Sequence, residues 1–200
     1  MGYCHLCSGG MNNVTTYFHP TVINTMRAEA DNSCLPDYDG GGGGPTTLLY
    51  ENWESGSLGS WSGSNGKRVK VAGGAAYNGS YGARLKKGGQ GTSACTVGTT
   101  TKQSWLESPV INASGYSNIE VSLFAKCNAN ELACEYVEIQ YNVGSGWVTL
   151  TTYEDQSWNQ IALTLPSDAD NASNLQLRLR TNMKGKYERV DLDDVTVIGN

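Results

Sequence analysis

Apolar and polar residues alternate with the two-residue period of a β-strand through most of the chain. In NIEVSLFAK (118–126) every second residue from Ile119 to Ala125 is apolar, and the residues between are mostly polar. In LQLRLRT (175–181) Leu177 and Leu179 fall on one face, and Arg178 falls on the other. Because successive side chains of a strand point to opposite faces, this pattern predicts strands with one buried face. The same pattern recurs in the segments EYVEIQYNV (135–143), GWVTLTTY (146–153) and NQIALTLP (159–166).

Weaker strand signals precede these segments, and turn residues separate them. The weaker segments are TTLLYENW (46–53), GKRVKVA (66–72), SYGARLKK (80–87) and SWLESPVI (104–111). No segment keeps a helical period for more than two turns. About ten short antiparallel strands predict an all-β fold, an antiparallel β-sandwich of jelly-roll type over residues 48–200.

The closing stretch KYERVDLDDVTVIGN (186–200) breaks the alternation. Val190 and Leu192 fall in one phase, whereas Val195 and Val197 fall in the other. A slip of one residue is what a β-bulge produces, so a bulge is predicted at the adjacent Asp193 and Asp194.

A glycine-rich linker divides the chain. The run DYDGGGGGPTT (37–47) combines flexible glycines with a stiff proline. The preceding arm, residues 1–36, carries Cys4, Cys7, Cys34 and both histidines. A piece of this size is too small for a core of its own. We therefore expect disulfides or a metal to cross-link it, or the arm to pack on the sandwich, or another chain to complete its fold.

Composition excludes several classes of function. The 200 residues carry a net charge of −5, and no long basic stripe is present, which argues against nucleic acid as a partner. No run approaches the roughly 20 apolar residues of a membrane helix, so no membrane insertion is expected. The opening MGYCHLCSGG lacks the regions of a signal peptide, so a processed chain or another export route is expected.

Cysteines and sequons indicate a secreted or cell-surface protein. The cysteine number, six, is even, as is typical of disulfide-bonded proteins in oxidising compartments. Four Asn-X-Ser/Thr sequons, which are glycosylated only if the source organism does so, stand at Asn13, Asn78, Asn112 and Asn171.

The order of several short motifs resembles a known superfamily. The motifs are LLYENWESGSLGSWSG, YNGSYGARLKKG, LESPVINASGYSNIEVSLFAKC, CEYVEIQYNVGSGWVTL and VDLDDVTVIG. Over residues 46–200 the chain is similar to MAM domains, to carbohydrate-binding modules and to the jelly-roll modules appended to secreted bacterial enzymes and adhesins. The resemblance implies the sandwich fold more strongly than it implies a ligand.

The resemblance also implies a structural calcium ion, since many such modules hold one where the first and last strands meet. By analogy, Glu51 of the first strand and Asp193 or Asp194 of the last would supply carboxylate oxygens, and backbone carbonyls of YNGSYG would complete the shell. The bulge would aim one aspartate inward and leave the other in solvent. The alternative is an ordinary charged edge that resists strand addition.

The cysteines divide into one predicted pair and four with open connectivity. Cys127 and Cys134 bracket a short loop between two strong strands, and we predict a disulfide between them. Cys4, Cys7, Cys34 and Cys95 allow three connectivities. One loop-closing option pairs Cys34 with Cys4 or Cys7 and leaves the other to Cys95, which would tie the arm to the sandwich.

Metal and redox chemistry at CHLC are less favoured than disulfides. Haem attachment requires a histidine directly after the second cysteine, and Ser8 stands there. Zinc could take Cys4, Cys7, Cys34 and His19, although a lone C-x2-C is a weak signal. No thioredoxin-like βαβ pattern supports a redox-active pair.

Catalysis is not expected. Both histidines precede the linker, so a Ser-His-Asp arrangement would have to form across it. By residue type Glu135 with Glu138, or Asp191 with Asp193, could form a glycosidase pair, but no spaced acid motif accompanies them.

Binding is the favoured class of function. Among five tryptophans and eleven tyrosines, Trp147 follows a Gly-Ser-Gly turn and Trp158 lies in EDQSWNQ. Both could stand at loop tips as platforms for sugar rings, although most tryptophans of such a chain belong to the core. We therefore predict a module that binds a glycan or a surface protein. The alternatives are a subunit of an extracellular filament or matrix that self-assembles through residues 1–36, by strand addition or an intermolecular disulfide, and a non-catalytic appendage of a secreted enzyme.

Overall fold

A computed structural model describes residues 44–64, 68–87, 90–95, 99–129, 135–185 and 187–200. For residues 90–95 and 99–102 it describes the backbone alone. The predicted arm, residues 1–36, and most of the predicted linker lie outside the described residues. The first strand begins at Thr46, within the range 37–47 that we predicted as linker.

The described residues form twelve β-strands and two short 3-10 helices, which confirms the all-β prediction. The strands are β1 (Thr46–Glu51), β2 (Ser62–Gly63), β3 (Val69–Ala72), β4 (Gly82–Lys86), β5 (Gln90–Cys95), β6 (Thr99–Glu107), β7 (Glu120–Asn128), β8 (Tyr136–Asn142), β9 (Val148–Tyr153), β10 (Asn159–Thr164), β11 (Gln176–Met183) and β12 (Arg189–Gly199). The 3-10 helices span Gly73–Ala75 and Ser167–Ala169.

The strands pair antiparallel in two sheets. Sheet A has the order β10-β7-β12-β4-β3, and β1 pairs with the far half of β12. Sheet B has the order β2-β6-β11-β8-β9, and β5 pairs with β6. The two sheets pack face to face as an antiparallel β-sandwich of jelly-roll type, as the alternation predicted.

The core lies between the sheets and follows from the alternation. On β7 of sheet A, Val121 and Leu123 are each 1% exposed, and on β11 of sheet B, Leu177 and Leu179 are also 1% exposed. Burying a side chain of this size contributes about 1.5–3 kcal/mol. Trp53 and Trp61 also lie in the core, with ring centroids 5.6 Å apart in an edge-on arrangement.

The outward residues of the same strands form the two outer faces. Arg178 and Arg180 point outward from β11 because their neighbours Leu177 and Leu179 point inward. On β7, Ser122 and Phe124 are the corresponding outward residues of sheet A. The two outer faces therefore lie on opposite sides of the sandwich.

The predicted bulge is present in β12. The pairing of β12 with β7 shifts between Asp193 and Thr196, and Asp194 has a φ of 48°. The extra residue restores the inward orientation of Val195 and Val197, which are both fully buried. The phase slip in the sequence was therefore a correct signal of the backbone irregularity.

Candidate functional site

The outer face of sheet B carries two cross-strand rows of polar and aromatic side chains. In the first row, Glu107, Arg178, Gln140 and Thr149 stand opposite one another on β6, β11, β8 and β9. Side chains that stand directly opposite on one face lie about 5 Å apart, so neighbours within each row contact one another. The second row contains Trp105, Arg180, Glu138 and Thr152.

Arg178 joins two tryptophans on this face. Its Cζ lies 3.9 Å from the centroid of the Trp147 ring and 5.7 Å from the centroid of the Trp105 ring. Both distances fall within the roughly 6 Å of a cation–π contact. Trp105 and Trp147 are partly exposed, so the face presents indole surface beside a fixed guanidinium.

A glycine turn between β8 and β9 places Trp147. Gly144 and Gly146 have φ values of 105° and 112°, a conformation that residues with a Cβ rarely adopt. The Oδ1 of Asn142 accepts the N–H groups of both glycines, at 2.7 and 3.1 Å. The Nδ2 of Asn174 donates to the carbonyl of Val143 at 3.1 Å, which ties the turn to the start of β11. The turn is thus held by side chains, and the position of Trp147 is fixed before any ligand binds.

Two ion pairs neutralise the charges of the face. The guanidinium of Arg178 donates to Oε1 of Glu107, with Nε at 2.8 Å and Nη2 at 2.7 Å. The guanidinium of Arg180 pairs with Oε2 of Glu138. Two cations face two carboxylates in the rows, so the rows carry no net charge.

Gln140 lies in the middle of the first row with an unpaired acceptor. Its Nε2 donates to Oε2 of Glu138 at 3.2 Å and to Oγ1 of Thr149 at 3.0 Å. Because a carboxylate only accepts hydrogen bonds, Glu138 fixes the amide orientation and turns Oε1 of Gln140 away from it. That Oε1 is buried without a hydrogen-bond partner among the described residues, and a buried unsatisfied acceptor costs about 1–3 kcal/mol. A hydroxyl or water donor would satisfy it.

The two tryptophans predicted as ligand residues lie on opposite sides of the sandwich. Trp147 belongs to sheet B, whereas Trp158 lies directly before β10 of sheet A. The ring of Trp158 lies 5.7 Å from that of Tyr77, which in turn stacks on Phe124 at 3.7 Å. The structure therefore does not bring Trp147 and Trp158 into one site.

The bulge in β12 turns Asp193 into a buried acceptor. Oδ2 of Asp193 accepts the N–H groups of Tyr77 at 2.8 Å and of Asn78 at 3.1 Å, and Oδ1 accepts the N–H of Asp194 at 2.9 Å. Asp193 is 0% exposed, and its burial raises the pKa of the carboxyl above the usual value, although the N–H donors oppose the shift.

The two other predicted calcium ligands lie beside the bulge. Glu51 pairs with Val195 in the register of β1 and β12, and its Oε1 accepts the N–H of Trp53 at 2.8 Å. Asp194 is partly exposed and accepts the hydroxyl of Tyr50 at 2.9 Å, a bond that raises the pKa of Tyr50.

The three carboxylates leave few oxygen atoms free for a calcium ion. Calcium takes six to eight oxygen ligands, but Asp193 keeps about one free lone pair after accepting three N–H groups. Among the described residues no group of three or more His, Cys, Asp or Glu side chains is placed to hold a metal ion. As arranged here, the side chains do not form a calcium site, and calcium binding stays a prediction.

Cys127 is a buried thiol in this structure. Its Sγ donates to the carbonyl of Glu135 at 3.7 Å, and burial raises its pKa to about 12. Its predicted partner Cys134 lies outside the described residues, so the disulfide stays a prediction. The other predicted disulfide and zinc residues, Cys4, Cys7, Cys34 and His19, also lie outside, and Cys95 is described by its backbone alone.

Three of the four sequons lie on the surface. Asn78, Asn112 and Asn171 are exposed, and Asn13 lies outside the described residues. The side chain of Asn112 accepts the N–H of Ser114 and that of Asn171 accepts the N–H of Gly115. Their glycosylation stays a prediction.

The carboxylate pairs considered for catalysis are engaged in structural contacts. Asp191 accepts two hydrogen bonds from Arg84, at 2.6 and 2.9 Å. Oε1 of Glu135, which is buried, accepts the N–H of Lys184 at 2.7 Å, and Glu138 pairs with Arg180. These contacts favour structural roles for the carboxylates.

Sequence reasoning missed Trp105 and Gln140 as site residues. The alternation placed Arg178 outward correctly, but the strand around Trp105 gave a weak signal and was not connected with β11. A pairing of β6 with β11, which are about 70 residues apart, has no local signature.

No helix among the described residues is long and apolar enough to cross a membrane.

No family model and no curated protein sequence matches the chain. Solved structures do share its fold. One is TmCBM61 in complex with β-1,4-galactotriose, with a TM-score of 0.57, 11% identity, and coverage of 78% of this chain and 99% of that one. Another is the K3 cleaved adhesin domain of Lys-gingipain from Porphyromonas gingivalis W83, with a TM-score of 0.56, 15% identity, and coverage of 78% and 99%. A third is a family 16 carbohydrate-binding module, with a TM-score of 0.52, 17% identity, and coverage of 76% and 99%. The resemblance to carbohydrate-binding modules and adhesin domains is confirmed at the level of the fold.

Proposed function

We propose that this protein is a non-catalytic module that binds neutral carbohydrate on the outer face of sheet B. The observation that carries the proposal is the placement of Arg178 between Trp147 and Trp105. Aromatic faces pack against the apolar side of a sugar ring, and the Arg178 guanidinium, which lies over the Trp147 ring, can donate to sugar hydroxyls.

The charge balance of the face supports a neutral ligand. Arg178 and Arg180 are each paired with a glutamate, so an anionic sugar would have to compete with Glu107 or Glu138. Neutral hydroxyls can instead add donors and acceptors around intact ion pairs.

Preorganisation of the face also supports binding. Asn142 and Asn174 hold the turn that carries Trp147, and the two ion pairs hold the arginines. Groups that are already fixed lose little conformational freedom when a ligand binds.

Titration calorimetry with β-1,4-linked trisaccharides of galactose, glucose, mannose and xylose tests the proposal. Trp147→Ala should weaken binding of the responsive sugar to this face at least ten-fold. Tyr187→Ala, at a 79% exposed tyrosine between β11 and β12, is the matched control and should leave binding unchanged. Unchanged affinity of Trp147→Ala would overturn the assignment of this face.

The predicted secreted or cell-surface location suits a protein that binds glycans, and it forms part of the proposal. A surface protein as partner remains the alternative within the same class. The filament-subunit hypothesis depends on residues 1–36, which lie outside the described residues, and it stays a prediction.

A further inference from the structure

Three aromatic rings cluster on the outer face of sheet A, away from the site on sheet B. The rings of Tyr77 and Phe124 are nearly parallel, with centroids 3.7 Å apart and an interplanar angle of 9°. Trp158 lies 5.7 Å from Tyr77 at an angle of 60°. Tyr77 is 47% exposed although one ring face is covered by Phe124, so much of its surface remains open to solvent.

A groove lies on the same face, one outward residue pair along β7 and β10 from Phe124. Phe124 stands opposite Gln160 in the pairing of β7 with β10, and the next outward pair is Ser122 with Ala162. The small side chains leave a depression of about 280 Å³. Its lining residues are Glu120, Val121, Ser122, Ala162, Leu163, Thr164 and Ile198. This volume is slightly below the roughly 300–1,000 Å³ of pockets that enclose small ligands. A glycan that lies along an open groove needs less enclosed volume than such a ligand.

The chemistry of the lining fits a sugar. Ser122 and Thr164 carry hydroxyls, Glu120 carries a carboxylate that accepts hydroxyl protons, and Ala162 and Ile198 add apolar surface. No cation is among the residues that line the groove, so the lining offers no partner for an anionic sugar. Exposed rings at one end of a hydroxyl-lined groove favour a neutral pyranose chain over a hydrophobic peptide.

The loop that carries Tyr77 is held by two carboxylates. Asp193 accepts the N–H groups of Tyr77 and Asn78. Glu54 accepts the N–H groups of Ser80 and Tyr81, both at 2.8 Å. These bonds hold the backbone of the loop, and stacking on Phe124 holds the Tyr77 ring.

We propose a second carbohydrate-binding site on the outer face of sheet A, where a sugar ring packs on Tyr77 and Trp158 and the next sugar enters the groove beside Ser122 and Ala162. The proposal takes its ligand class, neutral glycan, from the proposed function. Because the two outer faces point in opposite directions, one molecule would hold two glycan chains at once. A bivalent module cross-links a polysaccharide, and it gains avidity without further contacts.

Calorimetry with the same four β-1,4-linked trisaccharides separates the two sites. The variants are Trp147→Ala for sheet B, and Tyr77→Ala and Ala162→Gln for sheet A. Ala162 is exposed on the edge strand β10, so the longer glutamine fills the groove without entering the core. Tyr187→Ala is again the control, and melting temperatures verify that each variant folds.

Two sugars per chain are expected for the wild type, one for Trp147→Ala, one for Ala162→Gln and none for the combination. Tyr77→Ala should weaken sugar binding at the sheet A site at least ten-fold. If Trp147→Ala abolishes all binding and Ala162→Gln changes nothing, the second site is overturned and the sheet B proposal stands. If Ala162→Gln abolishes all binding and Trp147→Ala changes nothing, the sheet B proposal falls and the sheet A site stands. A wild type that binds none of the four sugars overturns both.

Discussion

The backbone nitrogen of Tyr77 lies 2.8 Å from Oδ2 of Asp193, across 116 positions of sequence. This bond joins the loop before β4 to the bulge of β12, and it explains why two aspartates stand side by side in a core strand. The bulge buries Asp193 as an acceptor for three N–H groups and leaves Asp194 at the surface, bonded to the Tyr50 hydroxyl.

Removal of this acceptor should destabilise the fold. Asp193→Ala leaves the N–H groups of Tyr77, Asn78 and Asp194 without the partner they have here. A hydrogen bond to a charged acceptor contributes about 1.5–3 kcal/mol, and less where water can reach the donor, so we expect the free energy of unfolding to fall by about 2 kcal/mol or more. Urea denaturation measures the change.

The matched control is the neighbouring aspartate. Asp194→Asn keeps a residue type that tolerates the positive φ of 48° and keeps an acceptor for the Tyr50 hydroxyl. It should change the free energy of unfolding by less than about 1 kcal/mol. Equal losses in the two variants would contradict the assignment of Asp193 as the acceptor that holds the loop.

The calcium hypothesis predicts a metal-dependent melting temperature. If Glu51, Asp193 and Asp194 contribute to a site, calcium at a hundred-fold excess over its dissociation constant should stabilise chelator-treated protein by about 2.7 kcal/mol. Glu51→Gln should remove most of this increment. Calorimetric melting with and without calcium checks both expectations, with magnesium as the control ion. An unchanged melting temperature would leave hydrogen bonding to the loop as the role of Asp193.

Arg178 should matter more for binding than for stability. Arg178→Lys keeps the charge but loses the planar group that lies 3.9 Å from the centroid of Trp147. We expect glycan affinity to fall by roughly 0.5–2 kcal/mol, whereas stability should change by less than about 1 kcal/mol because the ion pair with Glu107 is partly exposed.

The control for this variant lies one row away on the same strand. Arg180→Lys alters a similar ion pair, with Glu138, in the row that does not contact Trp147. Calorimetry of sugar binding and urea denaturation should give a larger affinity loss for Arg178→Lys than for Arg180→Lys. The reverse order would place the ligand over the second row.

The buried thiol of Cys127 should make stability depend on alkaline pH. Burial raises its pKa in the folded state from 9.0 to about 12, so the folded protein holds the proton more tightly than the unfolded chain does. The stabilising contribution is therefore complete below pH 9 and is lost as the pH rises toward 12. In reductant, the stability of the wild type should fall relative to Cys127→Ala between pH 9 and 11, as measured by urea denaturation.

The same experiment without reductant tests the predicted disulfide. If Cys127 pairs with Cys134, no thiol is present to ionise. The fall in stability of the wild type relative to Cys127→Ala between pH 9 and 11 then disappears. Labelling of the unfolded, unreduced chain followed by peptide mapping identifies which state Cys127 occupies. A labelled Cys127 would contradict the disulfide.

Most of the strands and their inward faces could be predicted because the alternation of side chains is a local property. Leu177 and Leu179 had to face the core once β11 was a strand, and the change of phase after Leu192 required a bulge. Trp147 was predicted as a site residue for a local reason as well, since a Gly-Ser-Gly turn precedes it.

The partners across the sheets could not be predicted. Arg178 meets Trp105 and Trp147 because β6 and the turn after β8 lie on either side of β11, and strand order leaves no mark in any single segment. For the same reason Trp147 and Trp158, which have similar local contexts, were predicted together and lie on opposite faces.

The sequence by itself determined the class of fold, most of the strands, the side of each of those strands that is buried and the position of the bulge, because these follow from the two-residue period of a single chain segment. The short β2 and the strand β5 were not predicted. The tertiary structure decided which outward residues meet: the rows on sheet B, the rings of Tyr77, Phe124 and Trp158 on sheet A, and the donors that surround Asp193. The physical reason is that a binding face is assembled across strands, and the order of strands is set by the packing of the whole core.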